Sequence, residues 1–104
     1  MAKPFVMSPQ IQQECAKIIE LARQYGATRL VLFESTLSSL TPRDLDIAVD
    51  GVEGWQLYQL GAELEETINL PLDLIPLTPP NRFTHLIEQR GYVLYDSRAI
   101  ANGR

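Results

Sequence analysis

Leu30-Val31-Leu32-Phe33-Glu34-Ser35-Thr36-Leu37-Ser38-Ser39-Leu40-Thr41-Pro42-Arg43-Asp44-Leu45-Asp46-Ile47-Ala48-Val49 is the stretch that decides the fold. An apolar run ends at Glu34-Ser35, a polar segment follows, and a second apolar run opens on Asp44-Leu45-Asp46. Side chains alternate faces along a strand, so Asp44 and Asp46 are expected on the same side, roughly 7 Å apart. Two carboxylates on one face suit a divalent cation, since Mg²⁺ is usually held by one or two carboxylates together with substrate phosphates. A third acid, Asp73, recurs in a similar apolar setting, Leu70-Pro71-Leu72-Asp73-Leu74-Ile75-Pro76-Leu77.

Around this stretch the chain reads as scaffold. Ser8-Pro9 is a helix start, because Ser caps well and Pro suits the first helical position. Ile11, Cys15, Ile18, Ile19, Ala22 and Tyr25 recur at helical spacing, and Gly26 supplies the stop. Arg29 to Phe33 and Asp44 to Val49 are β-rich and almost continuously apolar, as expected of strands covered by helices. Trp55 to Ile68 carries Leu57, Leu60, Leu64 and Ile68 on one helical face, with Glu63, Glu65 and Glu66 on the other as a solvated surface. Leu72 to Leu77 reads as a third strand, ended by Pro76 and Thr78-Pro79-Pro80. Asn81 can cap a last helix through Arg90, stopped by Gly91. Tyr92 to Tyr95 is either an edge strand or a docking segment. The order α-β-β-α-β-α-(β) predicts an α/β fold, a small mixed sheet packed against helices.

Composition bounds the function. The 104 residues suffice for one domain, read here as 1–104, with 1–7 and 97–104 expected to be flexible. No apolar run approaches a membrane span, and the first residues do not read as a secretory signal. One cysteine, Cys15, excludes an internal disulfide, so the cytoplasm is the expected compartment. Cys15 lies on the apolar stripe with no basic neighbour to activate it, and reads as a buried small hydrophobe. The net charge of −4 and nine scattered basic residues disfavour direct nucleic-acid binding and suit a basic protein partner better. An oligomer is compatible with everything above. His85, the single histidine, has no ligand partner at metal-binding spacing and reads as a surface helix residue. Trp55 reads as a core or rim aromatic, with adenine stacking as the alternative.

The ordered set Leu-Phe-x-Ser, Asp-Leu-Asp-Ile-Ala-Val-Asp-Gly, an amphipathic helix, Leu-Asp-Leu-Ile and Ile-x-x-x-Gly-Tyr-Val-Leu-Tyr resembles the minimal nucleotidyltransferases of the DNA polymerase beta superfamily. The likeness spans about Leu30 to Tyr95. It implies that Asp44 and Asp46 hold Mg²⁺ on the phosphates of ATP, and that Asp73 completes the site and helps activate the attacking hydroxyl. Ser35 and Thr36 would contact the phosphates. Bacterial members of this kind are often antitoxins of HEPN-type ribonuclease toxins, and some transfer AMP to a tyrosine of the toxin. The resemblance thus implies AMP transfer from ATP to a protein hydroxyl.

The sequence departs from the family pattern twice. Glu34 stands where the family has Gly before Ser, placing a carboxylate beside the expected phosphates. A charge about 4 Å from a phosphate costs on the order of 1–4 kcal/mol. Thr36-Leu37-Ser38-Ser39 replaces a basic, Gly-containing segment, and eight residues separate Ser35 from Asp44 instead of about ten. These departures leave a second expectation open, a fold that has lost transfer activity and acts as a partner-binding antitoxin or scaffold.

Overall fold

The structure is a computed structural model that describes residues 8–33 and 44–98. Helix α1 (Pro9–Gln24) starts where Ser8 Oγ accepts a hydrogen bond from the Ile11 amide at 3.2 Å, with Pro9 in the first turn. It ends at Tyr25, and Gly26 takes φ +93°, a left-handed conformation that Gly adopts without steric cost. The chain then forms β1 (Arg29–Leu32), β2 (Leu45–Asp50), α2 (Trp55–Thr67), β3 (Leu72–Pro76), α3 (Arg82–Arg90) and β4 (Tyr92–Asp96). Among the described residues, no helix is long and apolar enough to cross a membrane.

The four strands form one mixed sheet in the order β3-β2-β1-β4. β1 runs antiparallel to both β2 and β4, whereas β2 and β3 are parallel. The parallel pair needs a crossover, and α2 supplies it. Tyr92 to Tyr95, which left two readings open in sequence, is therefore the edge strand, extended to Asp96.

The two faces of the sheet are covered unequally, and this decides where a site can form. Leu30, Leu32, Leu45, Ile47, Val49 and Leu72 point to one face, packed under α1 and α2 through Ile11, Cys15, Ile18, Ala22, Leu60 and Leu64. Val31, Phe33, Ala48 and Leu77 belong to a smaller cluster with Ile87 of α3, joined by Ile75. The first face thus carries two helices and the second a single short one that packs on β1.

Side-chain pairs fix the helices to the sheet. Arg29 bridges Glu88 of α3 at 2.8 Å and Asp96 of β4 at 2.5 Å, joining three elements with one guanidinium. Asn81 and Thr84 form a reciprocal capping box, with hydrogen bonds of 2.8 and 2.9 Å, at the start of α3. Cys15 is buried, and His85 is exposed, both as the sequence predicts. Trp55 is not: its residue is 72% exposed and lies against Tyr58, itself 74% exposed, with ring centroids 5.7 Å apart. The reason is phase along α2. Leu60 and Leu64 define the buried stripe, with Leu57 half-buried beside them, and Trp55 falls off that stripe.

Candidate functional site

Asp46 and Asp73 are partners in the register of the parallel β2–β3 pair. Neighbouring strands lie about 4.8 Å apart, so the two carboxylates rise from adjacent backbone positions on the same face. That face is the sparsely covered one, because Asp46 alternates with Ile47 and shares its side with Ala48, while Asp73 shares its side with Ile75. Asp46 is 7% exposed, whereas Asp73 is exposed. Asp44 is exposed and stands just before Leu45, the first residue of β2, so the predicted strand start at Asp44 moves one residue along.

Phe33 closes the other side of Asp46. Its amide donates to the Asp46 carbonyl at 3.0 Å, which extends the β1–β2 ladder one residue past Leu32. One row across the sheet therefore reads Asp73, Asp46, Phe33. The chain leaves the described residues directly after Phe33 and re-enters them at Asp44. Glu34, Ser35, Thr36 and Arg43 lie between these two, outside the described residues.

Between Asp44 and Asn81 the sequence carries eight acidic residues and neither Lys nor Arg. Two hard oxygen donors on adjacent strands match the chemistry of a magnesium ion, which takes one or two carboxylates and completes its shell with phosphate and water. Among the described residues, no three His, Cys, Asp or Glu side chains gather closely enough to hold a metal between them. The fit therefore rests on the Asp46–Asp73 pair, with Asp44 beside it in sequence.

Other features of the sequence find their places. Glu63, Glu65 and Glu66 are exposed, as predicted for a solvated face, and Glu63 also accepts a hydrogen bond from Tyr25 Oη. That bond raises the Tyr25 phenol above its ordinary value, because it favours the protonated form. Burial, followed by the Glu14 charge, pushes the Cys15 thiol up to about 11.

Three residues escaped the sequence reading. Glu14 is only 4% exposed and accepts from the Asn69 amide at 3.2 Å and from Lys17 Nζ at 3.4 Å. It ties α1 to the turn that feeds β3, and so to Asp73. The Glu14–Lys17 spacing inside an apolar stripe was the available signal. Arg29 gave no signal, because its partners lie far along the chain. Phe83, at the start of α3, packs its ring at 85° to Phe33 with centroids 5.9 Å apart.

No protein-family model matches this chain, nor does any curated protein sequence. Solved structures do. A complex of tri-AMPylated Shewanella oneidensis HEPN toxin with MNT antitoxin aligns with a TM-score of 0.67 at 22% identity, covering 88% of this chain and 76% of the other. The toxin–antitoxin pair MntA-HepT aligns with a TM-score of 0.65 at 21% identity, covering 85% and 74%. A toxin–antitoxin structure with AMP-PNP aligns with a TM-score of 0.68 at 22% identity, covering 82% and 75%. The chain has a nucleotidyltransferase-type fold, of the kind found in complexes of MNT antitoxins with HEPN toxins.

Proposed function

We propose that this protein is a nucleotidyltransferase-like antitoxin that moves AMP from ATP onto a hydroxyl of a HEPN-type toxin. The observation that carries the reading is the Asp46–Asp73 register pair on the open face of a nucleotidyltransferase-type sheet. Similar structures support the partner, since they are complexes with HEPN toxins, one of them tri-AMPylated.

The Asp46–Asp73 pair would hold Mg²⁺, with Asp44 adding negative charge from just before β2. When bound, the ion neutralises phosphate charge and steadies the attacking and leaving oxygens of an in-line displacement. Asp46, held low in the sheet between Leu45 and Ile47, fixes the position of the triphosphate. Asp73, exposed to solvent on the adjacent strand, is placed to take the proton of an incoming hydroxyl. The hydroxyl oxygen bonds to the α-phosphorus, the bond to the bridging oxygen breaks, and pyrophosphate leaves. The acceptor comes from another chain, because this fold has no separate acceptor-binding domain among its described residues. The expected setting is the cytoplasm, where ATP and a ribonuclease toxin meet.

Two observations favour a second reading, in which the fold neutralises its partner by contact alone. No three described acids converge on one point, and Glu34 adds a negative charge next in the chain after Phe33. The two readings separate in one assay. Incubation with ATP labelled at the α-phosphate, Mg²⁺ and a HEPN toxin should label the toxin if the enzyme reading holds. Inhibition of the toxin without labelling supports the contact reading.

A further inference from the structure

We propose that Phe83 is the stacking platform for the base of the bound nucleotide; this rests on the ATP-binding reading above. Four observations converge. Phe33 lies beside Asp46 on the site row, fixed by the 3.0 Å ladder bond. Phe83 packs perpendicular to Phe33 at 5.9 Å. One strand spacing and one ring contact therefore separate it from Asp46, a distance on the order of 10 Å that a nucleoside triphosphate spans from phosphates to base. Phe33 is 5% exposed and Phe83 45% exposed, so the pair has a buried anchor and an accessible ring.

The ring is also held still. The Asn81–Thr84 capping box fixes the backbone on both sides of Phe83, and the edge contact with Phe33 restricts its side chain. Burial alone does not account for Phe83, because α3 turns Thr84 and Ile87 to the core and leaves Phe83 at its margin. A preorganised aromatic face near a carboxylate pair is what base binding uses, since stacking tolerates any base and loses little entropy when the platform is rigid.

Trp55 is a further exposed aromatic among the described residues, as are Tyr58 beside it and Tyr92, and its position excludes it from this role. β2 runs from Leu45, next to the acid row, to Asp50, and Trp55 opens the helix that follows the far end. Moreover α2 packs on the opposite face of the sheet from Asp46.

The test is calorimetric titration of Mg²⁺ with ATP, and separately with inorganic tripolyphosphate, into the full chain and its Phe83→Ala, Phe83→Tyr and Trp55→Ala variants. Stacking predicts ATP binding about five- to a hundredfold weaker in Phe83→Ala, with tripolyphosphate unchanged. Phe83→Tyr and Trp55→Ala should bind ATP as the parent does. Equal ATP affinity in Phe83→Ala would overturn the proposal while leaving the nucleotide site standing. An equal loss for both ligands would overturn it too, by making Phe83 a support of the fold; circular dichroism of the variant reads that directly. Failure of the parent chain to bind either ligand would overturn the nucleotide site itself, and Phe83's role with it.

Discussion

Asp46 and Asp73 share one register position on adjacent parallel strands, the first buried at 7% exposure and the second open to solvent. A carboxylate that low in a sheet is tolerated when it is hydrogen-bonded, paired or bound to a cation. The pairing therefore predicts unequal consequences for the two acids. Asp46→Asn keeps the shape and removes the charge, so it should abolish Mg²⁺-dependent nucleotide transfer while the far-ultraviolet spectrum and melting temperature stay near the parent values. Asp73→Asn, exposed and able to act on the acceptor, should lower the transfer rate more than it lowers ATP affinity. Unchanged transfer in Asp46→Asn would exclude a metal at this pair.

Glu34 follows Phe33, and Phe33 is hydrogen-bonded to the Asp46 backbone. A carboxylate close to a bound triphosphate would repel it. Glu34→Gly should tighten ATP binding about fivefold or more at low salt, by removing on the order of 1 kcal/mol of repulsion. Titration of the variant checks this, and weaker or equal binding would mean that the segment after Phe33 stays clear of the phosphates.

Cys15 reports on the integrity of α1. Its thiol is buried and raised to about 11 by desolvation, with Glu14 adding to the shift. The folded chain should resist iodoacetamide at pH 8 and react in denaturant. The folded state holds the Cys15 proton more tightly than the unfolded chain, whose thiol has the ordinary value of 9.0. The stabilisation is complete below pH 9 and is lost as pH rises towards about 11. A Cys15→Ala variant should lose this alkaline dependence, which thermal melts across that range would measure.

Gly91 joins α3 to β4 against the backbone. A β-carbon there would meet the Leu32 carbonyl oxygen at 2.7 Å and the Ile87 carbonyl oxygen at 2.6 Å, and would overlap the Val31 side chain. Gly91→Ala should cost about 1–3 kcal/mol, seen as a lowered melting temperature. A variant as stable as the parent would mean that β4 can shift on the sheet edge.

Much of this architecture was legible in the sequence because it depends on local signals. Ser8-Pro9 and Gly26 bound α1, Asn81 and Gly91 bound α3, and the apolar runs around Asp46 and Asp73 mark strands covered by helices. The pairing of Asp46 with Asp73 could be expected only through the family resemblance, since register between strands separated by a helix has no local code. Trp55 departs from its expected core or rim place because the phase of Leu60 and Leu64 turns it outward, whatever its aromatic size suggests. Phe83 is illegible for the converse reason: one Phe at a helix start has no pattern, and its meaning comes from Phe33, fifty residues earlier. Glu14 and Arg29 are of the same kind, polar residues whose partners Asn69, Glu88 and Asp96 only the fold brings near.

Binding of a magnesium nucleotide at the acid row is what would join the Asp46–Asp73 pair to the proposed transfer. Calorimetric titration of ATP with Mg²⁺ into the purified chain, alongside Asp44→Ala and Asp46→Asn, tests it most directly. Micromolar binding that requires Mg²⁺ and disappears in both variants is the predicted result. Absence of binding up to millimolar ATP, or binding that survives loss of both carboxylates, would contradict it.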